Sequence, residues 1–425
     1  MDLEVSPTGK LAGRIKAPPS KSYTHRVIIL AGLSKGAVRI RDPLLSADPL
    51  ATVEAVRAAG ARIEESQNAL RVLGNAGHVE APELVDVKNS GTTIRIMSSV
   101  FSLCDKRVTL TGDASIQERP MEPLLEALEG VGVKTTSKDG KPPISVKGPM
   151  RGGTIRIRGD VSSQYISGLL IACPLRGEDT TIEITTELKS KPYLDLTLDV
   201  IADFGAKIEN EDYERFLIRG GQSYSKGEYV VEGDYSGAAF MLGASALTDS
   251  AVTVTNLYNE SKQGDRYFLD ILKMMGAEVE TRKNEVTVLG GKSLRGVEVD
   301  LSQTPDLLPI TAVMCALAKG RSIICNVEHA RLKECDRISA MAKGLISMGV
   351  KLEERQDGLV IQGSDKLRGA KVDGFSDHRI VMALAVAGLR ADRPTRISGA
   401  ESVSVSYPGF LDDLRTLGSR CSALS

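Results

Sequence analysis

Two hydrophobic rhythms alternate along this chain. Apolar residues spaced as on one face of a helix predict amphipathic helices, and strict apolar–polar alternation behind them predicts strands. Phe268, Ile271, Leu272 and Met275 form one helical stripe, and Ala277-Glu278-Val279-Glu280 alternates after it. Leu124, Leu125, Leu128 and Val131 repeat the stripe earlier, and Phe410, Leu411, Leu414 and Leu417 repeat it near the end. A glycine closes each such segment: Gly60, Gly132, Gly205, Gly276, Gly349 and Gly418 stand 69 to 73 residues apart. Glycine just past a helix takes the left-handed conformation that other residues resist, so each one predicts a helix stop. Six copies of one unit predict a repeat architecture, with two lobes of three units and a cleft between them.

Each unit also carries a second helix of small and apolar residues that runs into a strand. Residues 27–33 precede the strand pattern of 37–40, and residues 238–247 precede that of 252–254. Helices and strands mixed within one unit predict an α/β fold class. Pro18-Pro19 and Glu232-Gly233-Asp234 are the expected hinges. They divide the chain into an N-terminal lobe of residues 20–232 and a C-terminal lobe of residues 1–19 plus 233–425. The N-terminal strand is expected to return and complete the C-terminal lobe.

Composition narrows the function. A net charge of −1, 4% aromatic residues and no Trp argue against a nucleic-acid partner or a membrane surface. The first residues lack a basic stretch followed by an apolar run, and no apolar run is long enough to span a bilayer, so a cytoplasmic location is expected. The six cysteines show no metal-ligand spacing; Cys104, Cys173 and Cys315 lie in apolar stretches and read as reduced core residues. No metal and no cofactor is expected, since neither a Walker-type loop nor a dinucleotide glycine pattern occurs.

The polar clusters fall at predicted helix starts. Lys21-Ser22 with Arg26 precedes an apolar run, and Asn89-Ser90-Gly91-Thr92 opens the next small-residue helix. Ser162-Ser163-Gln164 and Ser190-Lys191-Pro192-Tyr193 open two more. Capping explains the Ser, Thr and Asn. It does not explain Lys21, Arg26, Arg95, Lys191, Arg337 and Arg379, because cations at a helix N-terminus cost roughly 0.3–1 kcal/mol. A bound anion resolves the conflict, since helix dipole and cations would both point at it. Arg119-Pro120-Met121 adds a further Arg on a loop before a helix. In Arg331-Leu332-Lys333-Glu334-Cys335-Asp336-Arg337, Lys333 and Arg337 share a face if the segment is helical, with Glu334 beside them as an acid/base candidate. The alternative is a solvated surface network. Asp306, at the head of the helix of residues 307–319, reads first as an N-cap and becomes a candidate base only beside a cleft. Together these clusters suit a small substrate with several negative charges.

At these residues the chain resembles the 5-enolpyruvylshikimate-3-phosphate synthase family of enolpyruvyl transferases. The resemblance spans essentially the whole chain and includes Gln263-Gly264-Asp265, Pro305-Asp306, Lys333-Glu334 with Asp336-Arg337, and Asp377-His378-Arg379. It implies a two-lobed inverse α/β barrel, or prism, of six βαβαββ units, three per domain, with the active site in the interdomain cleft. It also implies transfer of the enolpyruvyl group of phosphoenolpyruvate to the 5-hydroxyl of shikimate 3-phosphate, with release of phosphate, by a monomer. Shikimate 3-phosphate would be held by Lys21, Ser22, Arg26, Ser162, Ser163, Gln164, Ser190, Asp306 and Lys333. Phosphoenolpyruvate would be held by Lys21, Gly91, Arg119, Gln164, Arg337 and Arg379. Asp306, Glu334 and Lys21 would carry the proton transfers.

Two positions depart from the family pattern. Val405 stands where a Lys is common ahead of Ser406-Tyr407-Pro408, and His329 stands where an Asn is common. Three rivals are weaker. A sister transferase acting on a UDP-amino sugar typically uses a loop Cys, which residues 115–121 lack. An RNA-terminal phosphate cyclase fits poorly with few aromatics and no basic excess. A silent anion binder would gain nothing from Asp306 and Glu334.

Overall fold

The computed structural model describes residues 1–424. Each of the six glycines ends a helix with φ between +87° and +105°, the region in which a Cβ is strained. The helices they close are Ala47–Ala58, Glu122–Glu129, Lys191–Asp203, Phe268–Met274, Arg337–Ser347 and Phe410–Thr416. A second set is buried on nearly every face: Lys21–Leu33, Gly91–Phe101, Ser163–Ala172, Tyr235–Leu247, Leu308–Ala316 and His378–Gly388. Helices that are apolar all round belong inside, and small residues let them approach closely. A methyl at Gly168 would lie 3.1 Å from Ile96 Cα, so glycine there brings the Gly91–Phe101 and Ser163–Ala172 helices together.

Six four-stranded sheets surround these helices, and five share one pattern. An edge strand pairs in parallel with its neighbour, and two antiparallel strands follow. Leu84–Asp86 runs parallel to Val108–Thr111, which pairs antiparallel with Lys141–Lys147, which pairs antiparallel with Lys134–Lys138. In the sixth sheet Asp2–Val5 takes the third place, between Thr395–Ser398 and Cys421–Leu424. Ala12–Lys16 completes another sheet, parallel to Ala251–Thr255. Two N-terminal strands therefore return, rather than the single one expected. Strands such as Ala37–Arg41 alternate exposed and buried residues, so each sheet has one wet face and one packed on helices.

The chain divides into two compact units, Pro19–Val231 and Met1–Pro18 with the residues from Glu232 onward. Each has its own apolar core and three of the sheets. Helix starts differ from expectation in one respect. The Lys21–Arg26 cluster lies within the first two turns of its helix, behind the cap Ser20, rather than ahead of it. Cys104, Cys173 and Cys315 are buried and free. Among the described residues no helix is long and apolar enough to cross a membrane.

Candidate active site

In the unit of residues 19–231 serines open the buried helices. Ser20 accepts a hydrogen bond from the Tyr23 amide, Ser90 from the Thr93 amide and Ser162 from the Gln164 amide. Ser163 follows as the first helical residue, 5% exposed. Ser190 differs: it sits in the left-handed region (φ 60°, ψ 40°), and its hydroxyl caps nothing. A non-glycine residue held there stores strain of about 1–3 kcal/mol, a mark of functional positions.

Gly91, Arg119 and Gln164 come together. Arg119 Nη1 lies so close to Gly91 that a methyl there would be 2.4 Å away. Gln164 Oε1 accepts from Arg95 Nη1 at 2.8 Å, and its Nε2 donates to Thr92 Oγ1 at 2.9 Å. Arg119 is 6% exposed. Its one polar partner among the described residues is the Ser115 hydroxyl, at 3.4 Å, and its Nε has none. A buried guanidinium without a carboxylate is costly unless an anion joins it.

Lys21 and Arg26 are placed differently. Lys21 Nζ pairs with Asp48 Oδ2 at 3.0 Å, both largely buried. Arg26 is 1% exposed and donates to Thr197 Oγ1, the Ser22 carbonyl, Ser167 Oγ and the Tyr193 carbonyl. It braces three helices around Ser22. Burial lowers its affinity for a proton to a pKa of about 10, which still leaves it charged at neutral pH.

In the other unit, charge converges on Asp306. Its Oδ1 pairs with Arg337 Nη1 at 2.7 Å and with Lys333 Nζ at 3.8 Å, and its Oδ2 pairs with Arg379 Nη2 at 3.0 Å. Arg337, 1% exposed, also reaches Glu334 at 2.6 Å and Asp377 at 2.7 Å. Burial disfavours the Asp306 carboxylate, but Arg379, Lys333 and Arg337 override it and hold the carboxyl well below its usual range. Burial likewise opposes the charge of Arg337, and Asp377, Glu334 and Asp306 more than restore it.

Two expectations about this segment are corrected. Asp306 is not an N-cap: it lies inside the 3-10 turn Pro305–Leu307, and its side chain goes to cations instead. Lys333 and Arg337 do not share a helical face. Lys333 is extended, following the 3-10 turn Glu328–Leu332, and the Arg337–Ser347 helix starts only after its cap Asp336. The two cations meet at Asp306 through the loop.

The fold agrees with that of related proteins. The family model for EPSP synthase (3-phosphoshikimate 1-carboxyvinyltransferase) matches residues 5–414. The chain belongs to the EPSP synthase family. It is 50% identical to the 3-phosphoshikimate 1-carboxyvinyltransferase of Methanocella arvoryzae, over 96% of this chain and 97% of that protein. It is 46% identical to the enzyme of the same name from Methanocaldococcus jannaschii, over 98% of each. An EPSP synthase structure from Acinetobacter baumannii superimposes with a TM-score of 0.84 at 27% identity, over 99% of this chain and 100% of that one.

Within this EPSP synthase family member, sequence reasoning passed over Asp48, the partner of Lys21. Asp48 sits in the first turn of Ala47–Ala58, where an acid is ordinary, so nothing local singled it out. Of the departures, Val405 ends the 3-10 turn Ala400–Val405 and is half-buried. His329 is 6% exposed.

Proposed function

We propose that this chain transfers the enolpyruvyl group of phosphoenolpyruvate to the 5-hydroxyl of shikimate 3-phosphate, releasing phosphate. The observation that carries the reading is Arg119, a buried guanidinium with no carboxylate among the described residues, packed against the start of the Gly91–Phe101 helix. Cation and helix dipole there favour a phosphate. Gly91 and Arg119, with Gln164 and Lys21, take the phosphate of phosphoenolpyruvate. Ser162, Ser163, Ser190 and Lys21 take the shikimate phosphate, while Ser22, Arg26, Asp306 and Lys333 hold the rest of that substrate and Gln164 lies against its ring.

Arg337 and Arg379 take the carboxylate of phosphoenolpyruvate, and the pairing with Asp306 suggests how. An incoming carboxylate competes with Asp306 for the same guanidinium forks. As Asp306 loses these partners its proton affinity rises, which fits it to accept the 5-hydroxyl proton. The hydroxyl oxygen bonds to the central carbon of the enol as a proton reaches the methylene carbon from Glu334, which takes up that proton once the substrate carboxylate has drawn Arg337 away from it. The resulting tetrahedral intermediate collapses as Glu334 takes a proton back from the methyl carbon and the departing phosphate oxygen receives one from Lys21, which the proton left on Asp306 replaces through solvent. Electrons and protons balance without a covalent enzyme adduct. The enzyme acts as a monomer in the cytoplasm.

The test is phosphate release from phosphoenolpyruvate with and without shikimate 3-phosphate, with product mass measured. Release only with both, and a product heavier by one enolpyruvyl group, is the expected result. Release driven by a UDP-amino sugar instead would move the activity to the sister transferases.

A further inference from the structure

The segment Gln263-Gly264-Asp265 takes no part in the chemistry above, yet it is built into the same unit as Asp306. Gln263 Oε1 accepts from the Tyr235 amide at 3.0 Å, and its Nε2 donates to the Gly233 carbonyl at 2.8 Å. This fixes the head of the Tyr235–Leu247 helix. Asp265 follows in the 3-10 turn Gly264–Tyr267 and is 4% exposed. Its Oδ2 accepts a hydrogen bond from Ser236 Oγ, and its Oδ1 has no partner among the described residues.

The groups that face Asp265 make its ionisation expensive. Asp234 stands ahead of the Tyr235–Leu247 helix, and Asp306 ahead of Leu308–Ala316; both repel a second negative charge. Arg379, on the His378–Gly388 helix, and Lys333, on the loop before Arg337–Ser347, attract it, but both already pair with Asp306. Around Asp306 three cations (Lys333, Arg337, Arg379) meet three carboxylates (Asp306, Glu334, Asp377). That set is balanced. A charged Asp265 would be a buried anion with no ion-pair partner of its own, which proteins avoid by keeping the proton.

We propose that Asp265 serves the transfer as a neutral carboxylic acid, a positioning residue whose retained proton leaves Arg379 and Lys333 to Asp306 and the anionic substrate. When it ionises, it competes with phosphoenolpyruvate for those cations. The proposal rests on the residue roles assigned above. Burial first, then the charges of Asp306 and Asp234, push its pKa up to about 8 against the pull of Arg379 and Lys333. The acid form is therefore present at neutral pH and lost above it.

The experiment compares kcat/KM for phosphoenolpyruvate at pH 7 and pH 9 in the wild type and in Asp265→Asn, which keeps the shape of the neutral acid and cannot ionise. A single ionisation near pH 8 makes the wild-type value at pH 7 about tenfold higher than at pH 9. In D265N that ratio is expected to approach one. An equal fall in both proteins overturns the proposal, as does a D265N protein that melts like the wild type but binds phosphoenolpyruvate at neither pH. If D265N does not fold, calorimetry of the wild type in two buffers of different ionisation enthalpy decides. Binding of phosphoenolpyruvate alone, which is not turned over without shikimate 3-phosphate, is expected to take up a fraction of a proton at pH 8, where its phosphate is fully ionised, and no uptake at pH 8 overturns the proposal. Failure of the underlying function looks different: no phosphate release by the wild type at pH 7.

Discussion

A methyl group at Gly91 would lie 2.4 Å from Arg119 Nη1 and 3.4 Å from Arg95 Nη1. Gly91→Ala therefore pushes the Arg119 guanidinium aside. Losing one charge-assisted hydrogen bond costs about 1.5–3 kcal/mol, so KM for phosphoenolpyruvate should rise about 10- to 100-fold while KM for shikimate 3-phosphate stays near wild type. Steady-state kinetics with each substrate varied in turn measures the split; equal rises in both would remove Gly91 from the phosphoenolpyruvate side. Asp306 invites the opposite pattern. Asp306→Asn removes a general base, and kcat should fall about 10²–10⁴-fold. KM for phosphoenolpyruvate should not rise, because the substitution takes one negative charge away from Arg337 and Arg379. Asp306 also couples stability to pH. Its folded-state pKa is depressed, so its contribution is present above the ordinary carboxylate range and lost as pH falls through the lowered value. The gap in Tm between wild type and D306N should be widest near pH 6 and close progressively toward pH 2; a gap independent of pH would contradict the ion pairing. Gly91, Arg119 and Asp306 could all be named from sequence because their neighbours form recognisable motifs. That Asp306 binds three cations rather than capping a helix could not, since Arg379 reaches it from a different repeat.

At the scale of the element, the glycine stops were the most legible feature. Each of the six has positive φ, because a helix that must reverse into a strand needs one residue in the left-handed region. Gly205 and Gly276 isolate that cause, as an added Cβ at either meets nothing within 4 Å. Gly205→Ala or Gly276→Ala should cost about 1–2 kcal/mol of stability from backbone strain alone, with kcat unaltered. Thermal unfolding reads the loss; an unchanged Tm would mean that the turn relaxes to another conformation. Helix starts were less legible. The polar stretch Lys21–Arg26 looked like a lead-in but occupies helical positions, because tertiary burial of Arg26 against Thr197, Ser167 and the Tyr193 carbonyl outweighs the weak local preference against a cation there.

For the whole molecule, the return of the N-terminus is the decisive long-range event. Asp2–Val5 fills the gap between Thr395–Ser398 and Cys421–Leu424 and buries Leu3 and Val5 completely. Deleting residues 1–5 forfeits about 1.5–3 kcal/mol for each of those two side chains and leaves two strands without their partner. Differential scanning calorimetry should then show the unit containing Glu232 onward melting ahead of residues 19–231; a single transition at the wild-type temperature would mean the strand is dispensable. The hydrophobic period, the helix stops and the α/β class were determined by sequence, because each depends on residues within a turn or two of one another. The pairings were not. Asp265, Asp306 and Arg379 belong to three successive repeats, and Lys21 meets an Asp48 that no local signal marks. Which carboxylate neutralises which cation, and which buried acid keeps its proton, depends on how the repeats pack, so only the tertiary structure decided it.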